Sequence, residues 1–215
     1  MADLDSPELA DDDHHHLSRS LRLSDGDSLT LGDGRGRWRL ARFASPPEPS
    51  GPILVVEAPS EPITIGFTPV KGDRPEWTVR RLTELGVDHI RVVQSVRSVV
   101  KWTGARGQKQ VDRLERVVRE ASMQSRRVWL PTVEQAGRAL DAMARPGVVV
   151  ADRDGRPLTR RDRTILIGPE GGWSTEELEA APDSVVLGEQ VMRAETAALA
   201  AATLSVALRG RLVGD

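Results

Sequence analysis

The sequence predicts an α/β protein in which a mostly parallel sheet, covered by helices, follows a smaller β-rich domain. From Ile63 onward, short apolar runs alternate with longer segments whose apolar residues recur at helical spacing. This order is typical of a parallel sheet with helices on both faces. Before Pro59, short alternating runs are separated by turn residues instead. The break is expected near Pro59–Pro62, which gives domains of residues 1–60 and 61–215.

Composition excludes several classes of chemistry. The chain has 215 residues, of which 39% are apolar and 29% charged, and it contains neither Cys nor Tyr. Without Cys it forms no disulfide, thiolate metal site or cysteine nucleophile. No apolar run reaches the roughly 18 residues that a membrane span requires, and the acidic segment 1–13, which we expect to be disordered, does not resemble a secretory signal. A cytoplasmic protein without membrane contact is therefore expected.

Positive charge is concentrated in the middle of the chain. Residues 1–66 carry a net charge of −6, whereas residues 71–130 contain 14 Lys and Arg against 7 Asp and Glu. Such a region is either a set of solvated helix faces or a surface that binds a polyanion. In the second case, clustered Lys and Arg side chains neutralise the phosphates of the polyanion and release its counterions. The near-neutral total does not exclude a polyanion partner, because the local field governs association.

The first domain is expected to be a small β-barrel or curled sheet. Asp25-Gly26-Asp27 and Asp33-Gly34 each separate short runs of alternating apolar residues, and the first run begins at Leu21. Asp-Gly pairs in this setting are typical of β-hairpins. The Pro-rich segment 46–52 leads directly into an apolar strand, Ile53–Val56, so we interpret it as a long hairpin loop rather than a linker.

The second domain is predicted to alternate between strands and helices. The predicted strands are Ile63–Phe67, Ile90–Val93, Val128–Leu130, Val148–Ala151, Thr164–Gly168 and Val185–Leu187. The predicted helices are one that follows Asp73 and ends at Gly86, then Gln108–Ser125, Ala136–Ala144 and about Ala194–Arg209. Capping boxes are expected for Asp73 with Glu76 and for Ser174 with Glu177. In parallel sheets, ligands bind at the carboxyl ends of the strands.

Two glycine-containing loops follow buried strands. The first, Gly168–Trp173, precedes the helix that starts at Ser174, and its glycines expose backbone N–H groups that a ligand can approach closely. It has neither the Lys-Ser/Thr of a phosphate loop nor G-x-G-x-x-G. The second, Gly188–Arg193, leads into the C-terminal helix beside Glu195. Each loop also has a purely structural explanation. The first could be only a tight strand-to-helix turn, and in the second Glu195 could be placed to interact with the dipole at the start of the helix.

Three further features are less specific. His14-His15-His16 are consecutive and point in different directions, so no metal site is expected. Trp102, which follows the segment Arg97–Lys101, is either available for stacking on a nucleic-acid base or the end of a surface strand. Ala121 and Met123 are expected in the core rather than in a site.

Six short motifs occur in one order along the chain. They are Lys71-Gly72-Asp73-Arg74, Thr83–Val87, Arg97–Lys101, Glu120-Ala121 with Gln124-Ser125, Ile167–Gly172, and Leu187-Gly188 with Met192–Ala197. In these motifs the chain resembles the RsmE family, the methyltransferases that modify N3 of a uracil in 16S rRNA. The resemblance extends from about Lys71 to the end, and is weaker in the earlier segments 15–17 and 21–27.

The resemblance implies a fold, a cofactor and partners. The second domain would be a SPOUT-type methyltransferase domain with a trefoil knot, and the first a PUA-like β-barrel that helps to bind rRNA. The cofactor would be S-adenosylmethionine, and the protein a homodimer that acts on 16S rRNA of the small ribosomal subunit. Cofactor contacts are implied at Ile167, Gly168, Gly171, Leu187, Gly188, Met192, Arg193 and Thr196.

Catalytic and RNA contacts follow as hypotheses from the same resemblance. Attack by a ring nitrogen on an activated methyl needs no covalent enzyme intermediate, but it needs alignment and removal of the imino proton. Arg193 is expected to stabilise the developing uracil anion or to orient the base, and either Glu170 or Glu195 to assist deprotonation; the sequence does not rank the two carboxylates. RNA contacts are expected at Lys71, Arg74, Arg97, Lys101, Arg119, Gln124 and Arg127.

Three other functions remain open at this point. One is a SPOUT methyltransferase with another RNA target, and the second is a non-catalytic RNA-binding or ribosome assembly factor on the same scaffold. The third is an α/β enzyme that acts on a nucleotide or another small molecule. The two intact glycine-containing loops argue against the non-catalytic factor, and the lack of a phosphate-loop motif argues against the nucleotide enzyme.

Overall fold

The computed structural model describes residues 3–20 and 22–214. Leu21, where the first predicted β-run begins, lies outside the described residues. The helices are α1 (Asp11–His15), followed by a π-helical turn (His16–Ser20), α2 (Arg74–Leu85), α3 (Gly104–Gln124), α4 (Ala139–Met143), α5 (Thr175–Ala180) and α6 (Ala194–Arg209). The strands are β1 (Ser28–Gly32), β2 (Arg37–Arg42), β3 (Glu48–Pro49), β4 (Leu54–Val55), β5 (Thr64–Phe67), β6 (His89–Gln94), β7 (Thr132–Arg138), β8 (Val148–Pro157), β9 (Thr164–Ile167) and β10 (Ser184–Val186).

The chain forms two compact units. The first comprises the residues up to Pro59 together with Arg126–Leu130, and the second comprises Ser60–Ser125 and the residues from Pro131 onward. In the first unit, β2 pairs antiparallel with β1, β3 and β4. The hairpin predicted at Asp33-Gly34 is confirmed: Gly34 has a φ of +73°, which favours glycine.

The acidic start of the chain packs onto the first unit. Leu4 is buried in one cluster with Leu31 and Ala41. The guanidinium of Arg39 donates hydrogen bonds to the carbonyl of Leu4 at 3.0 Å and to the carboxylate of Asp5 at 2.9 Å. An apolar contact of Leu4 and an ion pair of Asp5 thus hold the beginning of the segment for which disorder was expected.

The segment Arg126–Leu130 belongs to the first unit, although it follows α3. The N–H of Gly36 donates to the carbonyl of Val128 at 2.9 Å, and the Trp129 indole N–H donates to the carbonyl of Val56 at 2.9 Å. A Cβ atom at Gly36 would stand 2.6 Å from the Trp129 ring, so this approach requires glycine. The predicted strand Val128–Leu130 is wrong, since these residues pair only through one isolated bridge.

The second unit is built on a six-stranded sheet in the order β10-β8-β9-β5-β6-β7. Every neighbouring pair is parallel, which confirms the predicted mostly parallel sheet. Side chains along β9 alternate between two cores: Ile165 and Ile167 face the core shared with α2, α3 and α6, and Leu166 faces the core shared with α4. Strand order alone does not test the trefoil knot, which stays a prediction.

The helix boundaries agree with the sequence at some ends and not at others. Gly86 closes α2 in the left-handed conformation, as predicted. The capping box of Ser174 with Glu177 is confirmed, with both reciprocal hydrogen bonds present. The one predicted for Asp73 with Glu76 is wrong, because Asp73 makes no side-chain capping bond.

One predicted helix begins too early. Residues 136–138 of the predicted helix Ala136–Ala144 extend strand β7, and α4 covers only Ala139–Met143. The apolar residues Ala139 and Met143 are fully buried, so the helical spacing that we identified belongs to this short helix alone.

Candidate functional site

The loops that follow three neighbouring strands meet at the carboxyl edge of the parallel sheet. Strands β6, β5 and β9 lie side by side, and the loops that leave them enclose a cleft of about 240 Å³. Its lining residues are Pro69, Val70, Lys71, Arg74, Arg97, Val99, Val100, Pro169, Glu170 and Gly171. The cleft thus lies at the edge where parallel sheets bind ligands.

Arg74, the first residue of α2, connects the first glycine-containing loop with the first turn of α6. Its Nη1 lies 3.2 Å from Oε1 of Glu170, which follows β9, and 3.8 Å from Oε1 of Glu195, which follows β10. Strand β8 separates β9 from β10 in the sheet, so this guanidinium contacts a loop and a helix that follow strands lying apart in the sheet. The Glu170 side chain is 61% exposed and that of Glu195 only 13%, which gives the two carboxylates different surroundings.

Two buried oxygen atoms at this edge lack a hydrogen-bond partner among the described residues. They are Oε2 of Glu195 and Oγ1 of Thr68, which directly follows β5. Buried polar atoms in folded proteins almost always have a partner. Both atoms are therefore suited to complete their hydrogen bonds with a bound molecule.

One hydrogen bond holds the loop after β6 against the first glycine-containing loop. Nη1 of Arg97 donates to the carbonyl of Gly171 at 3.0 Å, and the N–H of Arg97 donates to the hydroxyl of Ser95 at 3.2 Å. A Cβ added to Gly171 would meet nothing nearer than 4.0 Å, and Gly172 has a φ of +68°. The backbone of this loop is therefore open to a ligand on the cleft side.

Glu177 lies behind this wall of the cleft and is 1% exposed. Its carboxylate accepts hydrogen bonds from the hydroxyl of Ser95 at 3.0 Å, the N–H of Val96 at 3.0 Å and the N–H of Ser174 at 2.8 Å. The capping role of Glu177 was readable from the sequence, but its contact with a loop 82 residues away was not. No local pattern pointed to Ser95 either.

The glycines that open the two loops, Gly168 and Gly188, have different surroundings. A Cβ at Gly168 would stand 3.0 Å from the ring of Trp173, which is buried and donates its indole N–H to the carbonyl of Ala151 at 3.3 Å. A Cβ at Gly188 would stand 2.7 Å from Cε of Met192. Close packing against the Trp173 ring thus explains Gly168 without a ligand, whereas a Cβ at Gly188 would displace only the end of the flexible Met192 side chain.

The second loop does not line the cleft. Arg193 and Thr196 are exposed, and Leu187 and Met192 are half-buried. Arg193 directly precedes α6, and within residues 3–20 and 22–214 no carboxylate forms an ion pair with it. Ile167, at the end of β9, is buried and can reach a ligand only through its backbone.

The expected RNA contacts are spread more widely. Lys71, Arg74 and Arg97 line the cleft, and Lys101 is exposed at the end of the same loop as Arg97. Arg119 and Gln124 are exposed on α3, and Arg127 belongs to the first unit.

Two side chains differ from their predicted surroundings. Trp102 is 7% exposed and packs in the main core, so it is not available for base stacking. Met123, expected in the core, is 44% exposed, whereas Ala121 is buried as predicted. The exposed position of Met123 follows from the helical phase of α3, whose buried face carries Val118, Ala121 and Ser122.

The opposite edge of the sheet carries ion pairs that join loops. Glu61 contacts Arg160 and Arg163, and its hydrogen bond with Arg160 helps to lower the pKa of its carboxyl. Burial raises the pKa of Asp162, but hydrogen bonds from the Arg156 guanidinium and from Thr159 outweigh it, so the net pKa is lowered. A groove of about 430 Å³ near the end of α6 lies at this edge. These ion pairs have a structural role, because the charges of Glu61 and Asp162 are balanced by arginines.

Within the described part of the chain, no group of three or more His, Asp or Glu side chains is arranged to hold a metal ion. The described helices include none with the length and apolar character needed to cross a membrane.

Comparison with known proteins assigns the chain to a family. A model of an RNA methyltransferase domain matches residues 56–206, and a model of an RNA methyltransferase PUA domain matches residues 9–56. Ribosomal RNA small subunit methyltransferase E of Mycobacterium tuberculosis is 31% identical over 222 residues, which cover 88% of this chain and 82% of that protein. The chain belongs to the RsmE family. The family predicted from the six motifs is thereby confirmed.

Solved structures of an RsmE and of a putative methyltransferase share the fold of this chain. Ribosomal RNA small subunit methyltransferase E from Neisseria gonorrhoeae, bound to S-adenosylmethionine, is 27% identical with a TM-score of 0.78, and the match covers 93% of this chain and 90% of that one. A putative methyltransferase from Legionella pneumophila, in complex with the same cofactor, is 26% identical with a TM-score of 0.79 and coverages of 94% and 91%. The predicted SPOUT-type domain after a PUA-like domain is confirmed.

Proposed function

We propose that this RsmE-family chain is an S-adenosylmethionine-dependent methyltransferase that methylates N3 of a uridine in 16S rRNA. The observation that carries the proposal is its likeness, over nine-tenths of the chain, to structures that hold S-adenosylmethionine. The cleft at the carboxyl edge supports the same function, because it combines an open glycine backbone with three cationic side chains, Lys71, Arg74 and Arg97.

The residues of this edge fit the cofactor. The open backbone of Gly171 and the unpartnered buried oxygen of Thr68 can pair with polar groups of such a molecule. S-adenosylmethionine, when bound, supplies an electrophilic methyl group. We assign its contacts to eight residues, of which Ile167, at the end of β9, and Gly168 and Gly171, in the first loop, act through their backbone. The others, directly before, in and after the second loop, are Leu187, Gly188, Met192, Arg193 and Thr196.

The different surroundings of the two carboxylates favour one of them as the proton acceptor. Glu170 is largely exposed and is bound to Arg74 at 3.2 Å. Glu195 is mostly shielded and keeps one buried oxygen without a partner, so that oxygen can accept the N3 proton of uracil directly or through a water. A base must be within hydrogen-bond reach of the proton that it removes. Glu195 is therefore the general base in this mechanism, and Glu170 holds Arg74.

Arg193 stabilises the uracil anion that forms when the N3 proton leaves. It is exposed beside the second loop and has no carboxylate partner among the described residues, so its charge is not neutralised before the substrate arrives. A positive group that is already in place where negative charge develops lowers the barrier. The roles of the two residues are complementary, since Glu195 removes the proton and Arg193 stabilises the resulting negative charge.

The substrate RNA is bound through phosphates by exposed cations. Lys71, Arg74, Arg97 and Lys101 act at and beside the cleft, and Arg119, Gln124 and Arg127 act elsewhere. Such contacts position the RNA without reading its sequence. We also propose a homodimer, a trefoil knot in the methyltransferase domain and a cytoplasmic location, where small ribosomal subunits are assembled. Light scattering of the purified protein tests the dimer.

Transfer of labelled methyl from S-adenosylmethionine tests the proposed function. The acceptors are small ribosomal subunits and naked 16S rRNA from cells that lack the uracil-N3 modification, with large subunits and tRNA as controls. Label in 16S rRNA alone supports the proposal. Label only in another RNA points to a different target, and cofactor binding without transfer to any RNA contradicts the proposed acceptor. Failure to bind the cofactor would indicate a non-catalytic RNA-binding protein.

A further inference from the structure

Helix α3 carries four cations along one exposed stripe. They are Arg106, Lys109, Arg113 and Arg116, and all four are exposed. Since successive helical residues are turned by about 100°, these positions fall within an arc of about 80°. The stripe is about 15 Å long at a rise of about 1.5 Å per residue. None of these residues belongs to the motifs that carry the family resemblance.

The acids of the region do not neutralise the stripe. Only Arg113 has an ion pair, with Glu76 of α2 at 2.8 Å. Asp112 accepts a hydrogen bond from Gln108 at 2.8 Å, and Glu120 pairs with Arg80 at 3.1 Å. In the part of the chain that the structure describes, no carboxylate reaches ion-pairing distance of the other three cations.

This arrangement opposes the stability of α3 itself. Like charges three or four residues apart on a helix repel each other. Arg106 lies in the first turn, which has no acidic residue, although the helix dipole favours negative charge there. A cluster of charges that disfavours the helix carrying it is expected at a functional site rather than at a surface without a function.

We propose that the stripe Arg106–Lys109–Arg113–Arg116 binds the phosphate backbone of the RNA substrate. This inference rests on the proposed function and adds a binding surface outside the cleft. A nucleic-acid strand carries one charge per roughly 3.4 Å of helix axis, so a stripe of about 15 Å matches about four phosphates. The contacts are independent of base sequence and set the position of the RNA.

The position of α3 in the chain connects the stripe with the cleft. The loop that contributes Arg97 and Val100 to the cleft ends at Lys101, and α3 begins at Gly104. In this proposal, RNA with its target base in the cleft continues along α3. An anionic membrane is a poorer match, because the apolar residues of α3, such as Val111 and Leu114, are buried and unavailable for insertion.

A triple variant, R106Q/K109Q/R116Q, tests this surface in the full chain. Arg113 is kept because its ion pair with Glu76 helps to join α2 and α3. The matched control, R145Q/R153Q/R161Q, removes the same charge from exposed positions outside α3. The dissociation constant for naked 16S rRNA is measured against salt concentration, together with KM and kcat for methyl transfer and the affinity for S-adenosylmethionine.

We expect the slope of log Kd against log salt concentration to become smaller by about 2–3 in the triple variant, since each of the three lost phosphate contacts contributes about 0.7–0.9. KM for the RNA should rise about tenfold or more, while kcat and cofactor affinity stay within twofold. The melting temperature should not fall, because repulsion is relieved. An unchanged slope in the triple variant, or an equal fall in the control, would overturn the proposal.

The two hypotheses fail in different ways. If the wild-type protein binds RNA with a steep salt dependence but transfers no methyl group, the proposed function is refuted. The stripe is then still tested by comparing the salt dependence of RNA binding between the wild type and the triple variant. If the wild type transfers methyl and the triple variant keeps its slope and KM, the stripe alone is refuted.

Discussion

The carboxylate of Glu177 accepts a hydrogen bond from the hydroxyl of Ser95 at 3.0 Å, across 82 residues of sequence. The same carboxylate caps α5 through the N–H of Ser174. The hydroxyl of Ser95 also accepts from the N–H of Arg97. One buried group therefore sets the position of Arg97 relative to the loop that carries Gly171, and thus the shape of the cleft.

Replacing Glu177 by Gln should disturb the cleft although the side chains have nearly the same size. Each carboxylate oxygen faces a backbone N–H, from Val96 or from Ser174. An amide must therefore place its NH2 group against one of these donors. We expect a loss of about 1–3 kcal/mol in the free energy of unfolding, the usual cost of a buried unsatisfied group, and a higher KM for the cofactor.

Thermal unfolding and steady-state kinetics measure both effects. E179Q on the exposed face of the same helix is the matched control and should behave as the wild type. An E177Q variant that is indistinguishable from E179Q would show that the buried carboxylate does not position the cleft.

Replacing Arg193 by Ala should abolish methyl transfer without unfolding the protein. The side chain is exposed, so its loss leaves the core intact. Removing a donor that stabilises a developing anion typically lowers kcat by about 10²–10³. The measurement is single-turnover methyl transfer at saturating RNA, with circular dichroism as the test of folding. Near-normal turnover would remove Arg193 from the mechanism.

The two carboxylates near Arg74 should respond unequally to neutral substitution. We expect E195Q to lower kcat by about 10²–10⁴, the usual contribution of a general base, and E170Q to change it only a few-fold. Both variants are measured at saturating cofactor and RNA across pH. A larger loss in E170Q than in E195Q would reverse the assignment of the base.

Asp162 should stabilise the fold at neutral pH and lose this effect in acid. Its carboxylate lies 2.7 Å from the Arg156 guanidinium, and its pKa is lowered in the folded state. A group with a lowered folded pKa stabilises above its unfolded pKa of about 3.9, and this stability is lost as the pH falls through the folded pKa.

We therefore expect the D162N substitution to lower the free energy of unfolding by about 1–3 kcal/mol at pH 7. The difference from the wild type should shrink below about pH 4. Urea unfolding at several pH values measures this. D154N, at an exposed position in the same region, serves as the control. A difference that stays constant down to pH 2 would contradict the ionic origin.

Local patterns predicted the parallel sheet and the two loops because strand and helix spacing are properties of short segments. The capping box at Ser174 and the left-handed Gly86 were predictable for the same reason. The segment Arg126–Leu130 was not, because its pairing with Gly34 and Gly36 spans about ninety residues. The role of Arg74 between Glu170 and Glu195 likewise depends on strand order, which no local pattern encodes.

The position of the methyl group on the RNA tests the central claim most directly. Small subunits or 16S rRNA that lack the modification are incubated with the protein and labelled S-adenosylmethionine, then digested to nucleosides and analysed by mass spectrometry. The proposed function predicts N3-methyluridine at a single site, lost in the R193A variant. Label on a ribose 2′-oxygen, on a pyrimidine carbon, or on no nucleoside of 16S rRNA would contradict it.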